Sequence, residues 1–190
     1  MVVSHIEKLD LHYSKTIFAK DFGKPLNYLW YFCSLVFMEE SAIITIFLMY
    51  LLTGRSLQVI AEYIITLFVN VVITLITKKT CARPRPTHGD FPKTSKTMYF
   101  RNRQSNCSLP SGDTLQAVNL AWFTFFYIGS WLGVPLALLA VLVAYSRVYL
   151  CCHWISDTVI GGLLGIGTTE ALMLLGLRSV DFAKIVRFLV

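Results

Sequence analysis

The chain has 190 residues, 55% of them hydrophobic and only 15% charged, with 13 Phe, 9 Tyr and 4 Trp. With a mean hydropathy of +0.60, this is not the composition of an ordinary soluble domain and places the chain among integral membrane proteins. The net charge of +6 rests largely on one connecting loop, with no arginine-rich tail or aromatic-basic platform, and so points to phosphate or lipid headgroups rather than nucleic acid.

Residues 1–24 lack a basic stretch followed by a continuous apolar core, so no cleaved signal peptide is read there. Ile6, Leu9, Tyr13, Ile17 and Phe18 recur among charged residues at helical spacing, which predicts an interfacial amphipathic helix. Asn27 to Leu52 exceeds the roughly 20 residues needed to cross a bilayer core. Glu39 and Glu40 interrupt its middle, yet either half alone is too short to cross. One tilted helix is expected, with both carboxylates turned inward as hydrogen-bond partners. Thr53, Gly54 and Arg55 form a turn, and Leu57 to Thr77 is a second span carrying Glu62 and Asn70.

Lys78 to Pro110 holds eight Lys or Arg residues, is rich in Pro and lacks apolar periodicity, so it reads as a polar loop. Thr114 to Ile128 is a third span, entered through Pro110-Ser111-Gly112-Asp113. Trp131 to Tyr145 returns after Gly129-Ser130, with Pro135 tolerable inside a bundle. Trp154 to Leu177 is the last span, where Gly161, Gly162, Gly165 and Gly167 offer a small-residue face for close helix approach. The prediction is an all-α, polytopic transmembrane helix bundle forming a single domain over 1–190, with five spans and an N-terminal amphipathic helix. The five cysteines are odd in number and show no disulfide spacing.

Counting crossings puts Lys78, Asp113, Arg147 and His153 on one side of the membrane, because each lies at a span end of the same parity. Charges at span ends ordinarily snorkel to headgroups, and a lone interfacial His is ordinarily structural. Their convergence is what calls for another explanation. Lys78, Arg85 and Arg147 suit a dianionic phosphoryl group, since guanidinium forks match phosphate oxygens and lysine adds a mobile charge. A carboxylate would also fit. Ser111 and Gly112, opening a helix, add a hydroxyl and backbone amides at its positive end.

His153 is followed four residues later by Asp157, a spacing that places a carboxylate one helical turn away to orient the ring. A nucleophile with its orienter leads to a phosphohistidine intermediate, with the cations stabilising the equatorial oxygens and water completing the hydrolysis. Zinc would find too few ligands in cationic surroundings, so neither a metal nor a cofactor is expected.

Lys78 through Arg85-Pro86, the Pro110-Ser111-Gly112 turn, and Ser146-Arg147 through His153 to Asp157 resemble the three signature stretches of the type 2 phosphatidic acid phosphatase family, whose active-site architecture is related to vanadium haloperoxidases. The likeness in helix order covers about residues 25–178. It implies that Lys78, Arg85, Ser111, Gly112 and Arg147 bind the phosphoryl group, that His153 is the nucleophile and that Asp157 is its partner. The implied activity is metal-independent dephosphorylation of a membrane lipid phosphate or diphosphate, such as phosphatidate, a sphingoid-base phosphate or a polyprenyl diphosphate. A haloperoxidase is less well matched, because the membrane-spanning architecture belongs to the phosphatases.

There are two departures. The family usually has six spans, and the histidine that ends its second signature, the acid for the leaving group, is here Asp113. A carboxyl of reference pKa about 3.9 beside cations donates a proton less readily than an imidazole near 6.5. The reading therefore favours a leaving group stable as an anion, hence an isoprenoid or other lipid diphosphate. The alternative is a membrane protein that binds lipid phosphates without turning them over.

The site side carries thirteen Lys and Arg against four on the other, or ten against four without Lys78, Arg85 and Arg147. By the positive-inside rule the site faces the cytosol, with the endoplasmic reticulum or another internal membrane as the expected location. Many relatives by resemblance have a lumenal or external site, and Asn106-Cys107-Ser108 would be a glycosylation acceptor there. Glycine-rich faces also pack between chains, which leaves a homo-oligomer open.

Overall fold

A computed structural model describes residues 2–37, 41–54, 56–86 and 107–176. Glu39, Glu40, Arg55, Asn106, the central part of the polar loop and the last span beyond residue 176 lie outside these. Among the described residues seven helices follow in order: α1 (Val2–Phe18), α2 (Lys24–Leu35), α3 (Ala42–Leu52), α4 (Leu57–Cys81), α5 (Gly112–Tyr127), α6 (Ser130–Tyr149) and α7 (Ile155–Leu174). No strand occurs among the described residues. Among the described residues two helices, α4 and α6, are long and apolar enough to cross a bilayer. At about 1.5 Å per residue they are roughly 37 and 30 Å long.

The stretch expected as one tilted helix over Asn27–Leu52 is instead two helices, α2 ending at Leu35 and α3 starting at Ala42. The halves serve different neighbours. α2 packs on α6 and α3 on α4, so a straight helix would have to forgo one of these contacts. At 12 and 11 residues each is about 17–18 Å long, well short of a bilayer core.

Helix α5 is the hub, packed against α4, α6 and α7. A core of Phe37, Met49, Tyr63, Leu67, Leu120, Phe123 and Val143 fills the space between α3, α4, α5 and α6. The glycines of α7 divide in two. A Cβ at Gly161 would lie 2.6 Å from the carbonyl oxygen of Ser111, and one at Gly165 would lie 2.6 Å from that of Leu115. These two, one turn apart, let the α7 backbone rest directly on α5. Gly162 would meet only Val118 at an ordinary 3.7 Å, and Gly167 meets nothing within 4 Å. The seam consequently brings the start of α5 to the start of α7, where the backbone N–H of Ser111 donates to the carbonyl of Asp157 at 3.0 Å.

Helix α1 packs on α6 and α7 by Ile17 and Phe18 of its apolar set and by a polar stripe that continues from them. Leu9 and Tyr13 are 42% and 57% exposed, whereas Asp10, Ser14 and Phe18, at i, i+4 and i+8, are buried. Asp10 and Ser14 are buried because the first amides of α7 need acceptors. Ser14 Oγ accepts from the N–H of Ile155 at 3.1 Å and Asp10 Oδ1 from that of Ser156 at 3.0 Å. One helix thus caps another.

Candidate active site

Helix α4 runs to Cys81, so Lys78 stands in its last turn rather than just beyond it. Ala82 then takes a left-handed φ of 44°, uncommon for a residue with a Cβ, and turns the chain into Arg83-Pro84-Arg85-Pro86. Ser108 staples this segment to the far end of the loop, its N–H donating to the Arg83 carbonyl at 2.9 Å and its hydroxyl to that of Pro84 at 3.1 Å. The Cys107 carbonyl accepts from Lys78 Nζ at 3.2 Å and from Arg85 at 3.3 Å. Two of the expected phosphate ligands therefore converge on one point.

Arg147, in the last turn of α6, is wholly buried. Its Nη1 donates to Ser34 Oγ of α2 at 2.5 Å and its Nε lies 2.9 Å from Asp113 Oδ2. Its Nη2 has no hydrogen-bond partner among the described residues. A buried guanidinium donor in that state is costly unless something fills the space beside it.

His153 lies in the turn between α6 and α7, also buried. Arg85 Nη1 is 3.2 Å from its Nε2 and donates to the adjacent Cys152 carbonyl at 2.8 Å. On the other edge, Nδ1 is 3.5 Å from Asp157 Oδ2. The four-residue spacing implied a shared helical face, but His153 precedes α7. The two meet because Asp157 caps α7, Oδ2 accepting from the N–H of Trp154 at 2.9 Å, and the preceding turn folds His153 back over it. Burial pushes the imidazole down to about 3; the nearby Asp157 carboxylate opposes this, while the charges of Arg147 and Arg85 reinforce it. The ring is neutral at physiological pH, and a proton on Nδ1, the edge that faces Asp157 Oδ2 at 3.5 Å, leaves the lone pair on Nε2. Burial and the Arg147 charge also lower the pKa of Arg85.

Ser111 is the N-cap residue of α5, but its hydroxyl pairs with Thr114 Oγ1 at 3.0 Å, and its amide is taken by Asp157 rather than aimed outward. The expectation of an outward-facing hydroxyl and amide is thus not met by Ser111. Gly112 would tolerate a Cβ, its nearest neighbour being Thr74 at 3.6 Å. Asp113, in the place where the resemblance implies a histidine, is the partner of Arg147.

Arg83, Asp10, Ser34 and Ser156 also stand at the site, none of them expected from the sequence. Arg83 donates to Asp157 Oδ1 at 2.6 Å, to Ser156 Oγ at 2.6 Å and to Asp10 Oδ2 at 2.6 Å. It also lies over the Trp154 ring at 5.5 Å. Burial works against its charge, but the two carboxylates outweigh that and raise its pKa. The repeated Arg-Pro of Arg83–Pro86 was the available signal. Among the described residues no group of three His, Cys, Asp or Glu side chains is arranged to hold a metal.

The chain belongs to the PAP2 superfamily, whose sequence profile matches residues 59–180. It is 29% identical over 149 residues to an undecaprenyl-diphosphatase of Sulfolobus acidocaldarius, the match covering 78% of this chain and 63% of that protein's length. Its fold is that of LpxE of Aquifex aeolicus (TM-score 0.74, 19% identity, 87% of this chain and 94% of that one). It also matches the transmembrane PAP2-type phosphatidylglycerolphosphate phosphatase of Bacillus subtilis (TM-score 0.73, 19% identity, 94% of this chain and 89% of that one).

Proposed function

We propose that the protein is an integral membrane phosphatase that removes phosphate from a lipid diphosphate, a polyprenyl diphosphate above all, without a metal ion. The observation that carries the reading is the buried His153 ring with Arg85 3.2 Å from its Nε2, together with the buried Arg147, whose Nη2 has no partner among the described residues, and Lys78 sharing the Cys107 carbonyl with Arg85. A nucleophile and an anion clamp occupy one site. The undecaprenyl-diphosphatase likeness supports the same substrate class.

In the first step Nε2 of His153 attacks the terminal phosphorus. The N–P bond forms as the bridging P–O bond breaks, and the electron pair leaves with the lipid phosphate. Asp157 holds the Nδ1 proton and balances the positive charge that develops on the ring. Lys78, Arg85 and Arg147 take the equatorial oxygens, Arg85 exchanging its contacts with His153 and Cys107 for the substrate. In the second step water attacks phosphorus, the P–N bond breaks with its electron pair returning to Nε2, and the water proton passes through Asp113 to bulk solvent. Asp113, held against a buried arginine, is poorly suited to protonate a lipid alkoxide, which is why phosphate as the leaving group fits better than an alcohol.

The exposed apolar faces of α3, α4 and α6 suit lipid contact; with α2 and α3 together making the first crossing, a bundle of five spans with α1 at the interface remains our reading. Helix α1, with Lys8 and Lys15, packs at the site end, which supports counting its charges with those of the loop and a site facing the cytosol.

The test is phosphate release from a polyprenyl diphosphate and from phosphatidate in detergent with excess chelator. Release by the wild type and none by His153→Ala is expected, with the diphosphate preferred. Lipid-phosphate binding without release would make the protein a binder only.

A further inference from the structure

We propose that Asp10 and Arg83 are positioning residues for the Asp157–His153 pair, so that the N-terminal helix α1 belongs to the catalytic apparatus. The inference rests on the phosphohistidine reading and adds to it residues that touch neither the phosphate clamp nor the reacting ring.

Asp157 divides its two oxygens. Oδ2 accepts from Trp154 N–H at 2.9 Å and faces His153 Nδ1 at 3.5 Å, while Oδ1 is taken by Arg83 at 2.6 Å. The carboxylate cannot turn toward or away from the imidazole without breaking the Arg83 contact. Arg83 is itself fixed on three sides. Asp10 Oδ2 holds Nη2 at 2.6 Å, Ser156 Oγ meets Nη1 at 2.6 Å, and the Trp154 ring lies beneath the guanidinium. Ser156 closes the circuit by donating to Asp10, its hydroxyl to Oδ2 at 2.5 Å and its amide to Oδ1 at 3.0 Å. Asp10 is only 8% exposed, so these charge-assisted bonds are largely shielded from water.

The charges explain why a second carboxylate is needed. Arg83 alone would neutralise Asp157 and leave the ring with a compensated partner. Asp10 takes half of the guanidinium fork, and Asp157 keeps negative charge to offer the imidazolium that forms when Nε2 bonds to phosphorus. Asp10→Asn removes that charge while keeping shape and one acceptor. Asp10→Glu keeps the charge on a longer arm. Arg83→Lys keeps the charge and loses the planar fork.

The experiment measures kcat, KM and thermal midpoint for full-length wild type, Asp10→Asn, Asp10→Glu, Arg83→Lys and His153→Ala on a polyprenyl diphosphate in detergent with chelator. Asp10→Asn is expected to lower kcat about 10- to 100-fold with KM within about twofold. Asp10→Glu should recover at least part of kcat, and Arg83→Lys should resemble Asp10→Asn. Wild-type kcat in folded Asp10→Asn overturns the inference while leaving the His153 reading intact. A kcat loss that follows the drop in thermal midpoint and is not rescued by Asp10→Glu overturns it also, by making α1 a structural cap. A wild type without activity, or an active His153→Ala, overturns the reading on which the inference rests and the inference with it.

Discussion

Replacing Gly161 by alanine tests whether the α5–α7 seam sets the geometry of the site. The added Cβ would lie 2.6 Å from the Ser111 carbonyl oxygen. An ordinary C···O approach is about 3.3 Å, so the helices must part locally by about 0.7 Å. The contact is backbone to backbone and no side chain can swing away. The hydrogen bond from Ser111 N–H to the Asp157 carbonyl, now 3.0 Å, would stretch to about 3.7 Å and be lost. Asp157, one turn before Gly161, would shift relative to Arg83 and His153. Overpacking of this kind costs ~1–3 kcal/mol, and a displacement near 1 Å at reacting groups lowers rate about 100-fold. Lipid-diphosphate hydrolysis and thermal midpoint, measured for Gly161→Ala, Gly165→Ala and Gly167→Ala, make the comparison internal. The first two should lose stability, Gly161→Ala should also lose kcat, and Gly167→Ala, with open space around it, should match wild type. If Gly161→Ala is as active and stable as Gly167→Ala, the seam does not control the site.

A titration follows from His153. The unfolded chain binds a proton there below about pH 6.5, whereas the folded ring does not until about 3. Stability therefore falls with decreasing pH through that window, by up to ~1.4 kcal/mol per unit, and His153→Asn should flatten the slope between pH 6.5 and 4 in denaturation measurements. Asp113→His should raise phosphatidate turnover relative to diphosphate turnover by tenfold or more, because an imidazole protonates an alkoxide better; an unchanged ratio would remove Asp113 from substrate choice. Gly133→Ala would set a Cβ 2.8 Å from Phe125 Cα in the α5–α6 hairpin. It should cost ~1–3 kcal/mol in stability with KM unchanged, and a large KM change would show that this packing reaches the site.

The sequence by itself determined the class of protein, the order of most helices and part of the residues proposed for the site. These are local or counting properties: apolar length defines α4 and α6, and counting the expected crossings is what first grouped Lys78, Asp113, Arg147 and His153. Only the tertiary structure decided how the charges pair. Arg83 reaches Asp157 across 74 positions and Arg147 reaches Ser34 across 113, distances at which no periodicity operates. Helix α1 buries Asp10 and Ser14 instead of Leu9 and Tyr13 because the first amides of α7 require acceptors, a need visible only once α7 has docked. Asn27–Leu52 divides into α2 and α3 because each half packs on a different helix. Spacing can say which residues share a face, but the partner that satisfies a buried charge is set by which elements meet, and that is a property of the packed chain.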